Sequence, residues 1–260
     1  MKTLAVMRPK NRLEESEQMA IDAGFNPVCA SPVEIIFNKS QLFNEFIDNL
    51  SKSSVDYLII TSTNGAEAMI SLSSEIMPSD DFVKLLSKIN VIAIGPVSAG
   101  ALSKLHISVS EIPSEYSSKG ILESLSGKVS GKNVYILRSD HGDKILSQGL
   151  KDSGANVFDI PVYRLIKTRD ESLTNLAKMT LAGEIDAFAF TSALSASSFI
   201  EAVCDLSNDA IDHINSATVA AIGYPTKERL ESLGIRVDIV PKDATYSSML
   251  ESLAAAFTHS

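Results

Sequence analysis

The chain has 260 residues, of which 45% are hydrophobic and 21% are charged, the composition of an ordinary folded globular protein. This length fits two domains of ordinary size or one large domain. The 32 acidic side chains outnumber the 23 basic ones and give a net charge of −9, which argues against a general nucleic-acid-binding protein.

No apolar run approaches the roughly 18 residues that cross a bilayer, and the amino terminus lacks the apolar core of a signal peptide. We therefore expect a cytoplasmic protein that does not enter a membrane. The two cysteines show no Cys-x-x-Cys spacing, which favours reduced thiols, and the four scattered histidines argue against a metal site. These residues are Cys29, Cys204, His106, His141, His213 and His259.

The first half of the chain alternates strand-like and helix-like stretches. Apolar runs bounded by turn residues predict the strands, and apolar stripes at helical spacing predict the helices. The expected elements are a strand at 2–7, a helix at 12–23 that ends at Gly24, an extended stretch at 27–37, a helix from Gln41, a strand at 55–61, helices to about 76 and at 82–89, a strand at 91–94, a helix at 97–105, a short strand at 107–109 and a helix that follows 113–120.

The second half repeats this pattern about 130 residues later. Arg138 repeats Arg8 (138 − 8 = 130), and Gly223 repeats Gly95 (223 − 95 = 128). A period this long indicates a duplicated domain rather than a solenoid. The alternation predicts an α/β fold with doubly wound, flavodoxin-like parallel sheets, which bind ligands at the carboxyl ends of their strands.

One polar turn occurs in both halves. Ala93–Ser98 and Ala221–Thr226 each have the build of a buried strand, a tight turn and a helix that begins with a hydroxyl residue. Such a turn aims backbone N–H groups at an anionic or carbonyl-bearing ligand. Because Ala101-Leu102 replaces the Lys-[Ser/Thr] of a phosphate loop, a nucleotide triphosphatase is excluded, and no dinucleotide fingerprint follows either first strand.

Each of these polar residues also has a structural interpretation. The hydroxyl residues could only cap helices, Asn64-Gly65 could only form a turn, and the Tyr163 side chain could only be packing. Arg8 and Arg138 could bind an acid or pair with a neighbouring carboxylate. The hydroxyl residues concerned are Thr61, Ser62, Thr191, Ser192, Ser98, Thr226, Ser117, Ser118 and Thr245.

Short motifs recur in a fixed order along the chain: Thr61-Ser62-x-Asn64-Gly65, Ala93-Ile94-Gly95-Pro96, Pro113-x-x-Tyr116-Ser117-Ser118-x-Gly120, Ile136-Leu137-Arg138, Pro161-Val162-Tyr163, Phe190-Thr191-Ser192, Ala221-Ile222-Gly223, Leu233-Gly234 and Val240-Pro241. Taken in order, these motifs resemble the uroporphyrinogen-III synthase family over essentially the whole chain.

The resemblance implies two flavodoxin-like domains that face each other across a cleft and are joined by a two-stranded antiparallel linker. Residues 1–34 with 166–260 would form one domain and residues 37–162 the other, with linker segments near 32–37 and 162–167. The repeat and the domain would then be offset by one strand and one helix.

The resemblance also implies the reaction, which closes the linear tetrapyrrole hydroxymethylbilane to uroporphyrinogen III with loss of water and inversion of the last pyrrole ring. It needs no cofactor or metal, and we expect a monomer without nucleic-acid partners. Tyr163 would be the proton donor. The expected binders of the polycarboxylate substrate are Thr61, Ser62, Asn64, Ser98, Ser118, Thr191, Ser192 and Thr226.

Two departures from the family pattern concern these binders. In Gly223-Tyr224-Pro225-Thr226 the proline lies one place later than in the family, and Asn64-Gly65 has no copy at Ala193-Leu194. The alternative to an enzyme is a non-enzymatic, two-lobed small-molecule binding or sensor protein, which shares the duplicated α/β design. It would bind a ligand without turnover.

Overall fold

The structure, a computed structural model, describes residues 1–142 and 144–258. Its strands are β1 (Lys2–Met7), β2 (Phe25–Ala30), β3 (Val33–Phe37), β4 (Tyr57–Ile60), β5 (Asn90–Ala93), β6 (Asn133–Ser139), β7 (Asn156–Lys167), β8 (Ala187–Phe190) and β9 (Thr218–Ala221). Its helices are α1 (Leu13–Asp22), α2 (Gln41–Ser51), α3 (Thr63–Ser74), α4 (Ser79–Leu86), α5 (Pro96–Lys104), α6 (Ser118–Leu125), α7 (Ile145–Asp152), α8 (Glu171–Leu181), α9 (Ala193–Cys204), α10 (Ala210–Asn215), α11 (Tyr224–Ser232) and α12 (Tyr246–Thr258).

The chain divides into two compact units. Unit 1 comprises Met1–Ile35 with Leu165–Ser260, and unit 2 comprises Ile36–Arg164. These bounds lie within two residues of the domain boundaries expected from the sequence. That each unit is an independent domain, and that a cleft separates the two, stay predictions.

Unit 1 contains a parallel sheet in the order β2-β1-β8-β9, extended by an isolated bridge between Ala220 and Ile239. This is the flavodoxin-like order 2-1-3-4-5. Alternate residues of β1 face opposite sides of the sheet, because side chains alternate along a strand. Ala5 and Met7 pack into the core with α8 and α9, whereas Leu4 and Val6 pack with α12.

Unit 2 contains the sheet β3-β7-β6-β4-β5, with a bridge between Ile92 and Glu111 beyond β5. The prediction of a strand at 107–109 is wrong. His106 has a left-handed backbone (φ 61) and the Ile107 N–H still bonds the Leu102 carbonyl, so the chain is leaving α5 there. Pairing with β5 begins only where the Ser110 N–H bonds the Val91 carbonyl.

The extended stretch expected at 27–37 consists of two strands, β2 and β3, separated at Ser31-Pro32. The Ser31 hydroxyl donates to the Val33 carbonyl across this break. The helix expected at 82–89 runs instead from Ser79 to Leu86 and follows Pro78, which precedes the helix as its capping residue. The remaining boundaries differ from the expected ones by a few residues.

Each unit combines strands from both repeats. In unit 1, Leu4 of β1 pairs with Ala187 of β8, and in unit 2, Val134 of β6 pairs with Tyr57 of β4. These are the same pair with the repeats exchanged, since 4 + 130 = 134 and 57 + 130 = 187. The exchanged segment is β1-α1-β2 or its copy β6-α7-β7, so the offset is two strands and a helix rather than one strand and a helix.

Matching polar contacts hold the exchanged strands at their amino ends. The Asp186 carboxylate accepts from the Lys2 ammonium and the Thr3 N–H, both at 2.8 Å. Asp56 accepts in the same way from Lys132 at 3.1 Å and from the Asn133 N–H at 2.9 Å. These hydrogen bonds hold the pKa of both carboxyls below the ordinary range.

The chain passes between the units in β3 and β7, which are neighbours in the sheet of unit 2. The Asn38 N–H bonds the Val162 carbonyl at 2.8 Å, and the Thr168 N–H bonds the Pro32 carbonyl at 3.0 Å. Residue numbers rise along one segment as they fall along its partner, so the two segments are antiparallel. No helix among the described residues is long and apolar enough to cross a membrane.

Candidate functional site

The candidate residues lie where parallel strands end. Thr61, Ser62 and Asn64 follow β4, Ser98 follows β5 within α5, Ser118 begins α6 and Tyr163 lies in β7, all within unit 2. Thr191 and Ser192 follow β8, and Thr226 follows β9, all within unit 1. The carboxyl edge of such a sheet is where doubly wound folds bind ligands. Each unit therefore contains one set of polar candidate residues at the carboxyl ends of its strands.

The tightest side-chain contact in this set joins Ser62 to Tyr163. Their hydroxyl oxygens lie 3.0 Å apart, and the Ser62 oxygen also accepts from the Gly65 N–H at 3.1 Å. Ser62 therefore caps α3 and can still donate its own proton to Tyr163. In that orientation the phenolic proton of Tyr163 stays available to a ligand. The Tyr163 residue is 7% exposed, so its ring is also part of the core.

Unit 1 repeats the cap but not the tyrosine. Ser192 caps α9 by accepting from the Ser195 N–H at 3.1 Å. The Thr191 hydroxyl donates to the Met7 carbonyl at 3.1 Å, which fixes the end of β8 to β1. The equivalent hydroxyl of Thr61 has no hydrogen-bond partner within residues 1–142 and 144–258. Thr191 thus has a structural role that Thr61 lacks.

The two glycine turns place their hydroxyl residues identically. Gly95 and Gly223 precede α5 and α11, and neither helix start is capped by a side chain. The displaced proline changes little, because Ser98 and Thr226 are each the third residue of their helix and are 5% and 4% exposed. Proline has no N–H group, but the other residues of the first turn do, and their N–H groups can donate hydrogen bonds to an anion.

Gly95 packs closely against the Tyr116 side chain. A Cβ at this position would lie 3.2 Å from the Tyr116 ring, whereas one at Gly223 would meet nothing nearer than 3.8 Å. In the next turn, Ser117 rather than Ser118 caps α6, by accepting from the Gly120 N–H at 3.1 Å. Ser118 is half-buried as the first residue of that helix.

The two arginines at the carboxyl ends of β1 and β6 have different surroundings. Arg138 is 7% exposed and binds the Asp159 carboxylate with both Nε and Nη2. The Arg8 guanidinium lies 5.2 Å from the centre of the Tyr246 ring, and its buried Nε has no hydrogen-bond partner. Burial lowers the pKa of Arg8 and raises that of Tyr246. From the sequence, each arginine could either bind an acidic ligand or pair with a neighbouring carboxylate. Alignment of the two repeats could have shown that only Arg138 has an aspartate, Asp159, at the neighbouring strand position.

Thiol and metal chemistry have little support from the cysteine, histidine and acidic side chains. Burial raises the pKa of the Cys29 thiol to about 11, so it is neither a thiolate nor a nucleophile near neutral pH. Within the described part of the chain, no cluster of three or more His, Cys, Asp or Glu side chains could hold a metal ion. His259 lies outside the described residues.

Comparisons with known proteins give a consistent result. The family model of uroporphyrinogen-III synthase HemD matches residues 14–251. A curated relative from Methanothermobacter thermautotrophicus is 27% identical over 255 residues, which are 97% of this chain and 98% of its own. The uroporphyrinogen-III synthase of Chlorobaculum parvum is 24% identical over 257 residues, 98% of this chain and 99% of its own.

A solved structure shows the fold independently. The uroporphyrinogen-III synthetase of Helicobacter pylori 26695 matches with a TM-score of 0.65 and 18% identity, and the match covers 99% of this chain and 100% of that one. The α/β fold with parallel sheets expected from the sequence is therefore confirmed.

Proposed function

Because the chain belongs to the uroporphyrinogen-III synthase family, we propose that it closes hydroxymethylbilane to uroporphyrinogen III, with loss of water and inversion of the last pyrrole ring. The observation that carries this proposal is the family match over residues 14–251, nearly the whole chain. This activity makes the protein a cyclising lyase that works in tetrapyrrole biosynthesis.

The reaction asks for little covalent chemistry from the protein. The C–O bond of the hydroxymethyl group breaks, and the departing hydroxyl takes a proton and leaves as water. The former hydroxymethyl carbon then bonds the substituted α-carbon of the last pyrrole, and the bond from that carbon to its original methylene bridge breaks. The released bridge carbon bonds the free α-carbon of the same pyrrole, which gives up a proton, so the ring closes inverted. Since the substrate also closes spontaneously to isomer I through the free α-carbon, the protein must mainly orient the last ring so that its substituted α-carbon is attacked first.

Tyr163 is the proposed proton donor for the departing hydroxyl. Its phenolic oxygen lies 3.0 Å from the Ser62 hydroxyl, and the Gly65 N–H donates to that same serine. This order of donors supports an arrangement in which Ser62 donates to Tyr163 and Tyr163 donates to the substrate. A positioned acid of this kind lowers the barrier by assisting a poor leaving group.

The remaining candidates would bind the acetate and propionate groups. Thr61, Asn64, Ser98 and Thr226 have side chains without hydrogen-bond partners in the described residues, and α5 and α11 begin with uncapped N–H groups. These donors suit carboxylates. Ser118, Thr191 and Ser192 would contribute mainly by shaping the turns.

We further propose that the protein works as a cytoplasmic monomer without a cofactor. The non-enzymatic binding protein considered as the alternative is not favoured, because the family match spans both units.

Separation of the two isomers tests the proposal. The purified protein is incubated with hydroxymethylbilane generated enzymatically, and the products are oxidised and separated as isomers I and III. We expect isomer III in proportion to the amount of protein. Isomer I alone, at the spontaneous rate, would refute the proposal.

A further inference from the structure

An arginine lies at the carboxyl end of the first strand of each repeat. It has an acidic side-chain partner in unit 2 and, among the described residues, none in unit 1. In unit 2, the Arg138 guanidinium meets the Asp159 carboxylate in a two-pronged contact. The backbone of Gly142 lies so close that a Cβ there would come within 2.7 Å of the guanidinium carbon. The Arg138 guanidinium therefore already has a carboxylate partner and close backbone packing.

Unit 1 places a cysteine where unit 2 has this aspartate. Asp159 pairs in register with Ile136, and Cys29 pairs in register with Val6, so both partners are offset by 130 (136 − 6 and 159 − 29). The Cys29 thiol stays protonated near neutral pH, because burial raises its pKa to about 11. Position 29 therefore supplies no negative charge to Arg8.

No other described side chain replaces the missing anion. Among residues 1–142 and 144–258, no carboxylate lies within ion-pair distance of Arg8, and its Nε has no hydrogen-bond partner. Glu15 is near enough to affect Arg8 electrostatically, but it lies 3.9 Å from Arg12 instead. The remaining contact is the face of the Tyr246 ring.

The face of an aromatic ring does not accept the in-plane hydrogen bonds that a guanidinium donates. The cation–π contact stabilises the charge, yet it leaves the planar N–H donors of arginine unbonded, and a buried donor without an acceptor is unfavourable. Arginine's fork of N–H groups matches a carboxylate with two parallel hydrogen bonds, as Arg138 shows in unit 2. A ligand carboxylate would complete the same pair in unit 1.

A second unsatisfied polar atom lies at the same edge of the unit 1 sheet. The Ser195 side-chain oxygen is buried and has no partner within the described residues. Ser195 belongs to the first turn of α9, which follows β8, and β8 is the sheet neighbour of β1. Its repeat equivalent is Gly65, which has no side chain (195 − 65 = 130). Within residues 1–142 and 144–258, only unit 1 therefore leaves both a cation and a buried hydroxyl unpaired at this edge.

We propose that Arg8 binds one carboxylate of the polycarboxylate substrate, as the ligand-supplied counterpart of the Arg138–Asp159 pair. This inference rests on the proposed function. It makes unit 1 a carboxylate-binding unit through the Arg8 guanidinium.

Replacement of Arg8 tests this assignment. Arg8→Met should raise the KM for hydroxymethylbilane by about tenfold or more, because a hydrogen-bonded ion pair is lost on binding. The kcat should change much less, since the residue does not touch the reacting carbons. Arg8→Lys keeps the charge but not the fork, and should recover part of the loss.

Arg236→Met is the matched control. Arg236 lies in the same unit and already pairs with Asp238 at 2.7 Å, so the substitution removes the same charge away from the proposed site. We expect its KM to stay within twofold of the wild-type value. Raised salt should increase the KM of the wild type more than that of Arg8→Met.

Binding without turnover gives a second readout. Uroporphyrinogen III, the octacarboxylate product, should raise the Tm of the wild type and of Arg236→Met, and it should raise that of Arg8→Met much less. If the wild type forms isomer III but Arg8→Met keeps its KM and its Tm increase, the role of Arg8 is refuted and the proposed function stands. If the wild type forms only isomer I, the proposed function itself fails.

Discussion

The Tyr163 hydroxyl lies 3.0 Å from the hydroxyl of Ser62, which is the residue that caps α3. The two residues are 101 positions apart in the chain and belong to different repeats, yet they meet within unit 2. A helix cap is held firmly because it satisfies an otherwise unpaired N–H group. The contact therefore fixes the orientation of the tyrosine that we propose as the acid.

Tyr163→Phe should lower the kcat for isomer III by about 100-fold, the usual lower range for loss of a positioned acid. The free energy of unfolding should fall by only about 1 kcal/mol, since one hydrogen bond is removed and the ring remains. Stopped-flow formation of the cyclic product measures the rate, and urea denaturation measures the stability.

Tyr135→Phe is the control for Tyr163→Phe. Tyr135 is a second buried tyrosine of unit 2, 2% exposed, and its hydroxyl accepts from the Asn49 amide at 3.0 Å. This variant should lose similar stability without a change in kcat. An unchanged rate in Tyr163→Phe would assign that side chain to packing.

Ser62→Ala should combine a structural and a catalytic defect. Loss of the cap destabilises α3 by about 1 kcal/mol, and loss of the hydroxyl frees the Tyr163 side chain from its fixed orientation. Ser40→Ala removes a cap of the same kind, from the Phe43 N–H of α2, and should reduce stability alone. Equal kcat values for the two variants would contradict the positioning role of Ser62.

Gly120→Ala should destabilise the protein by about 1–3 kcal/mol, the usual cost of overpacking. A Cβ at Gly120 would lie 1.9 Å from the Glu115 carbonyl oxygen, so the start of α6 would have to move. Gly100→Ala, in the exposed interior of α5 with nothing within 4 Å, should instead stabilise by about 0.5–1 kcal/mol. Urea denaturation of both variants checks the opposite signs.

The amino-end carboxylates predict a loss of stability in acid. The folded-state pKa of Asp56 and Asp186 is depressed by their hydrogen bonds, so their contribution is present above the ordinary aspartate pKa of about 4. It is lost as the pH falls through the folded-state pKa. Their side chains are 35% and 34% exposed, so we expect no more than about 1 kcal/mol from each at pH 7.

The double variant Asp56→Asn/Asp186→Asn checks this dependence. Its free energy of unfolding should lie below that of the wild type at pH 7. The difference should shrink as the pH falls through the depressed folded-state pKa values, because both wild-type groups then become protonated. Asp48→Asn, an exposed change on α2, controls for the loss of charge. A difference that stays constant with pH would contradict the linkage.

Much of the fold could be predicted because its signals are local. Helix starts at hydroxyl residues and helix ends near Gly24 and Gly154 follow from capping chemistry, and both glycines have the left-handed φ that such ends favour (+86 and +85). The strand expected at 107–109 failed for a related reason. Its apolar residues satisfied the pattern, but the backbone bonds of the preceding helix continue to Ile107.

The candidate site was predictable only as a set of residue types at strand ends. The repeat offset placed Thr61, Ser62, Thr191 and Ser192 in equivalent turns, which the structure contains. The offset could not show that the Thr191 hydroxyl bonds the Met7 carbonyl while that of Thr61 has no partner among the described residues. Such differences depend on contacts between elements far apart in the chain.

The sequence by itself determined the duplication, the alternation of strands and helices, and the turns that carry hydroxyl residues, because each is written in short-range periodicity or in one fixed offset. The tertiary structure alone decided that each sheet takes strands from both repeats and that Ser62 meets Tyr163. It also decided that Arg138 has an aspartate beside it, while the equivalent strand position near Arg8 holds a neutral cysteine. Strand pairing brings these residues together, and pairing energy depends on partners more than a hundred residues away.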